Sequence, residues 1–224
     1  MTGPGPVGST VLLADPHRIV REGLRRLLDE DGDMSVSAEA ATGHQVLEQL
    51  RRHPVDVALV ELNLPGLGGL DLIRRLRAEW PALGVLVLTV HAEEQYALRA
   101  FRAGAQGYLS KDCAPEELLG ALRKVAGGGA YLSPALAERL AVELTGLHEA
   151  PAHTLLSDRE FEVFRMIVAG LRLTEIAERL HLSVKTVSTH KSRILEKMKL
   201  DSTAALVRYG VQHGLFVEDT EPRR

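Results

Sequence analysis

The chain has 224 residues, 45% hydrophobic and 25% charged, and a net charge of −3 at neutral pH; that balance suits one large or two small globular domains and excludes disordered and fibrous classes. A single cysteine, Cys113, excludes an internal disulfide, and the sequence shows neither a secretory signal nor an apolar run near the roughly 20 residues of a membrane span, so a cytoplasmic protein is expected. The charge is uneven: residues 1–154 carry 15 basic and 20 acidic side chains, residues 155–224 carry 12 and 10.

Apolar runs at Val11–Ala14, Val55–Val60, Val85–Val90 and Gly107–Leu109, with a weaker one at Met34–Ala38, alternate with stretches of helical period. This is the pattern of strand-crossover-strand units around a parallel sheet. The intervening helices are predicted at His17–Asp29, Thr42–Arg52, Gly69–Trp80, Glu93–Ala103 and Pro115–Ala126. Thr42 with Gln45 marks a helix start, and Gly127-Gly128-Gly129 ends the last helix, closing an α/β domain over residues 8–128. Residues 129–154 read as a linker with one short helix, Pro134–Leu144. Four further helices follow, at Ser157–Ala169, Thr174–Leu180, Val184–Met198 and Thr203–His213, forming an all-α domain over residues 155–216.

In an open parallel sheet the C-terminal strand ends share one edge, where ligands bind. Asp15, Glu61, Thr89 and Lys111 each end a strand and so are expected to converge there. The segments Val11-Leu-Leu-Ala-Asp15, Leu62-Asn-Leu-Pro-Gly66, Leu88-Thr89 and Gly107-Tyr-Leu-Ser-Lys111 resemble the receiver domain of bacterial response regulators. The resemblance implies a five-stranded sheet ordered 2-1-3-4-5 flanked by five helices. It puts Glu61 at the phosphoacceptor position, Lys111 as the phosphate-pairing lysine, Thr89 as the hydroxyl that tracks the phosphoryl group and Tyr108 as the switching aromatic. Asp15 becomes the first of an acidic pair whose second position is Pro16.

Two of these positions depart from the family pattern. Mg²⁺ needs near-octahedral oxygen ligands, and Pro16 supplies no side-chain oxygen. Glu61 is one methylene, about 1.5 Å, longer than aspartate, and a displacement of about 1 Å can cost ~100-fold in rate. Aspartyl-type phosphorylation is therefore expected to be negligible. Glu61 could instead pair with Lys111 and Thr89 as a partial phosphate mimic, or be tolerated in an inert dimerisation scaffold. Two other readings stay open: a conventional phosphorelay regulator phosphorylated elsewhere or weakly at Glu61, and a pocket that takes an acidic metabolite or a partner protein.

In the C-terminal third, Thr174–Leu180 and Val184–Met198 flank a short turn, as in a helix-turn-helix whose second helix enters the major groove. Val187, Ile194, Leu195 and Met198 are expected to pack inward and Ser188, Thr189, Ser192 and Glu196 to face out. Lys185, Lys191, Arg193 and Lys197 are placed for phosphates, with Thr186 and His190 on the same helix. Leu156–Gly170, Thr174–Ser183, Val184–Met198 and Ala204–Gly210 closely resemble the LuxR-type helix-turn-helix, and the two halves together identify a member of the NarL/FixJ response regulators. The resemblance implies a DNA-binding transcription regulator and not an enzyme. It also implies a homodimer on an inverted repeat, paired through the last helix, with Ala204, Val207, Arg208 and Val211 as its candidate residues. His148 and His153 lack acidic or cysteine companions, and neither a metal nor a cofactor is expected.

Overall fold

The computed structural model describes residues 8–67, 69–90, 93–133, 136–138, 151–180 and 182–215, with the side chains of 93–95 left aside. The chain divides into two compact units between Ala141 and Val142.

The first unit is a five-stranded parallel sheet. Strands β1 (Ser9–Ala14), β2 (Met34–Ala40), β3 (Val57–Val60), β4 (Gly84–Thr89) and β5 (Gly107–Ser110) alternate with helices α1 (Arg18–Asp31), α2 (Gly43–Arg52), α3 (Gly69–Glu79), α4 (Glu93–Ala103) and α5 (Pro115–Ala126). The strand order is β2-β1-β3-β4-β5, as expected, and every pairing is parallel. Strands covered on both faces become continuous apolar runs, and β3 and β4 are buried along their whole length. Val11, Leu13, Leu59, Leu86, Leu88 and Leu122 lie in the core.

Several boundaries moved. The strand predicted from Val55 starts at Val57, because Asp56 turns its carboxylate back onto the Thr10 amide and hydroxyl at 2.7 and 2.8 Å. Val90, predicted inside β4, lies beyond it and is 61% exposed. The α2 cap uses both predicted residues, although the returning arm binds one residue earlier. Thr42 Oγ1 accepts from the Gln45 amide, while Gln45 Oε1 accepts from the amide of Ala41 rather than Thr42. At Gly43 the Leu67 carbonyl occupies the place a Cβ would take, which lets the loop after β3 lie against α2.

The second unit contains a 3-10 turn (Ala152–Leu155) and helices α6 (Asp158–Val168), α7 (Leu173–Arg179), α8 (Val184–Met198) and α9 (Thr203–Gln212). The predicted capping box of α6 is present: Ser157 and Glu160 cap each other's backbone. Phe161, Phe164, Ile176, Val187, Ile194 and Leu206 form the core. Gly210 permits α9 to approach α6, since a Cβ there would fall 2.5 Å from Val168 Cγ2. Of the predicted linker helix, only residues 136–138 are described, and they are helical; the rest of Pro134–Leu144, and His148, lie outside the described residues.

Candidate functional site

The strand ends converge. Asp15, Glu61 and Thr89 are buried at the C-terminal edge of the sheet, each following or ending its own strand. Lys111 reaches in from the end of β5. Its ammonium donates to Asp15 Oδ2, and it lies 2.8 Å from Glu61 Oε2. Glu61 Oε1 accepts from the Thr89 hydroxyl at 2.6 Å and from the Asn63 amide at 3.1 Å. Asp15 Oδ1 accepts from the His17 amide at 2.7 Å, with His17 Nδ1 at 3.2 Å. The backbone fixes the same edge: the Glu61 amide bonds to the Ala14 carbonyl, Lys111 N to Thr89 O, and Arg21 donates to the Asp15 carbonyl. Tyr108, within β5, is fully buried.

Burial alone would lower the Lys111 pKa, but hydrogen bonds to Asp15 and Glu61 outweigh it and raise the value. The sign follows directly. A raised pKa in the folded state means the stabilisation is complete below the ordinary lysine value of about 10.4 and is lost only as pH climbs through the higher folded value.

The residues present do not fit Mg²⁺. Pro16 contributes no side-chain oxygen, and the Asp15 and Glu61 carboxylates are bridged by an ammonium group that would repel a second cation. Among the described residues no three His, Cys, Asp or Glu side chains converge as a metal site.

The second candidate surface is on α8. Its N-terminus is capped by Ser183, whose hydroxyl accepts from the Thr186 amide at 3.0 Å. Val187, Ile194 and Met198 are buried, and Leu195, predicted inward with them, is half-buried. Lys185, Ser188, Thr189, Ser192 and Arg193 are exposed, while Thr186, His190 and Lys191 are half-buried. Thr189 and Ser192 spend their hydroxyl protons on the carbonyls of Lys185 and Ser188, so each turns oxygen lone pairs outward. The Nδ1 of His190 is buried with no hydrogen-bond partner among the described residues. Lys197 is exposed like Lys185 and Arg193, but its ammonium is engaged. Its ammonium lies 2.6 Å from Oε2 of the buried Glu160, so its charge is already balanced.

On α9, Leu206 and Gly210 face the core, whereas Ala204, Arg208 and Val211 are exposed, Val211 by 59%, and Val207 is half-buried. An apolar stripe thus runs along the outside of this helix. Sequence reasoning placed His153 in a featureless linker; the structure instead seats its Nδ1 3.0 Å from the Tyr209 hydroxyl, and His213 stacks on the Tyr209 ring at 3.9 Å. No local signal marks this pairing, because its partners lie 56 residues apart. Among the described residues no helix is long and apolar enough to cross a membrane.

Residues 11–123 match the response regulator receiver domain family, and residues 154–210 match the bacterial regulatory proteins of the luxR family. The chain is 34% identical over 211 residues to the response regulator UvrY of Escherichia coli (strain K12), covering 94% of this chain and 97% of UvrY. A structure of RcsB from Salmonella enterica serovar Typhimurium bound to promoter P1flhDC in the presence of phosphomimetic BeF3− is 27% identical with a TM-score of 0.68, over 90% of this chain and 98% of that one. A structure of two RcsB dimers bound to two parallel DNAs is 27% identical with a TM-score of 0.56, over 90% of this chain and 97% of that one.

Proposed function

The chain belongs to the DNA-binding response regulators of two-component systems, of the NarL/FixJ type with a LuxR-type output domain, and we propose that it acts as a dimeric transcription regulator independently of aspartyl phosphorylation. The observation that carries this reading is the double engagement of Glu61, which holds Thr89 and Lys111 at once. In a phosphorylated receiver those two positions would meet the phosphoryl oxygens; here a carboxylate one methylene longer than aspartate reaches both. It supplies one negative charge against the ~1.5 to 2 of a phosphate, so it is a partial and permanent substitute. An acidic metabolite would have to displace two carboxylates from Lys111, which argues against a metabolite-gated pocket.

We assign residues 8–128 to the input domain, 129–154 to the linker and 155–216 to DNA binding, and the protein to the cytoplasm, where its DNA is found. Lys185, Lys191 and Arg193 contact phosphates. Thr186, Ser188, Thr189 and Ser192 face the groove, where outward lone pairs on Thr189 and Ser192 suit base amino groups, and His190 lines the helix edge. Ala204, Val207, Arg208 and Val211 pair α9 with its copy in a second subunit, placing two recognition helices about 34 Å apart on an inverted repeat. No catalytic step is assigned.

Binding to an inverted-repeat duplex without phosphodonor tests this. Three phosphate-facing cations per subunit give six per dimer, and the logarithm of affinity should fall against the logarithm of salt with a slope of about −5. Affinity then drops roughly 1,000-fold between 50 and 200 mM salt. A slope near zero would refute the assigned contacts.

A further inference from the structure

Lys197 sits in the last turn of α8, in line with the basic residues assigned to phosphates, yet it faces a buried acid on another helix. Glu160 is itself held on two sides. Its Oε2 accepts from the Ser157 amide at 2.8 Å as part of the α6 capping box and from Lys197 at 2.6 Å. One carboxylate therefore fastens the start of α6 to the end of α8. Burial works against the Glu160 carboxylate, but the Lys197 ammonium and the Ser157 donors outweigh it and hold its pKa below the usual range. The end of α8 is fixed again just beyond: Lys199, the only non-glycine residue with positive φ among those described, turns the chain at φ 53°, and the Leu200 amide returns to Leu195 O.

The fully buried side chains of α8 are apolar: Val187, Ile194 and Met198. Apolar packing tolerates small rotations and slides, whereas the buried Glu160 carboxylate, held at one oxygen by both the Ser157 amide and the 41% exposed Lys197, has one satisfying geometry. Base readout depends on those small displacements, because the groove-facing side chains of this helix are short. A phosphate that recruited Lys197 would strip Glu160 of its partner, so the two roles compete.

We propose that Lys197 and Glu160 are positioning residues that set the rotation and depth of α8 in the major groove, and that Lys197 is not a phosphate contact. The inference rests on α8 being the DNA-reading helix, and the two fail differently. The test uses the full chain, the inverted-repeat duplex that the wild type selects from a random pool, and a scrambled duplex of the same length. Glu160→Gln/Lys197→Met removes both charges together, so no lone charge is left buried. Its selected-to-scrambled affinity ratio is expected to fall about tenfold while the salt slope on the scrambled duplex stays at the wild-type value. Lys185→Ala, which removes one phosphate contact from each subunit of the dimer, should instead reduce that slope by about 2 and leave the ratio in place. Glu160→Gln alone keeps an oxygen for the Ser157 amide and releases Lys197, and should show the same loss of ratio if the double variant folds poorly. A slope reduced by about 2 with an unchanged ratio, or no change in either quantity, overturns the inference. If the wild type itself shows no salt-dependent binding, the DNA-reading assignment falls and takes this inference with it.

Discussion

Lys111→Met is expected to destabilise the sheet domain by about 3–5 kcal/mol, the range for stripping a buried ion pair of one partner. Lys111 is the shared counter-charge of two carboxylates, and both Asp15 and Glu61 are 3% exposed. Without the ammonium, two like charges remain at one buried edge, and neither can turn to water without leaving its backbone donors at His17 and Asn63. For a domain of this size the loss corresponds to a fall in melting temperature of roughly 10–20 °C. Glu61→Gln/Lys111→Met, which leaves a single carboxylate, should recover a large part of it. Thermal unfolding followed by circular dichroism measures both. A loss below about 1 kcal/mol for the single variant would mean that the three groups are less tightly coupled than their distances indicate.

Glu61→Ala is expected to leave the fold intact and weaken binding to the inverted repeat by about tenfold or more. Lys111 keeps Asp15, so no unpaired buried charge appears. What disappears is the acceptor for the Thr89 hydroxyl at 2.6 Å and the second carboxylate on Lys111. A tenfold change in affinity corresponds to about 1.4 kcal/mol, which is within reach of one charge-assisted hydrogen bond. Glu61→Asp should fall on the same side, because the shorter side chain cannot reach Thr89 and Lys111 together. Affinity and dimerisation equal to wild type in both variants would identify Glu61 as an inert remnant in a rigid scaffold.

The first unit was legible because parallel strands advertise themselves as short apolar runs with polar residues at or just past their ends. Thr89 ends β4, one residue before the end of the predicted apolar run, and Asp15, Glu61 and Lys111 meet as strand order requires. Boundaries set by side chains far away in sequence were not legible: Asp56 shortened β3 by bonding to Thr10, 46 residues earlier. In the second unit the capping box at Ser157 announced α6, and the spacing of Val187, Ile194 and Met198 announced the inner face of α8. Lys197 shows the limit of such reading. Helical spacing put it among the basic residues, but its partner Glu160 lies 37 residues away, and only the packing of α6 on α8 brings them together. The seating of His153 on Tyr209 was hidden for the same reason.

A switch that needs no phosphoryl group is tested by intact mass and DNA affinity together. The wild-type chain is incubated with a small phosphodonor and Mg²⁺, and its intact mass and its affinity for the inverted-repeat duplex are compared with those of an untreated sample held in a metal chelator. One unphosphorylated mass and equal affinities are expected in both samples. A species heavier by one phosphoryl group that binds the duplex more tightly would contradict that expectation.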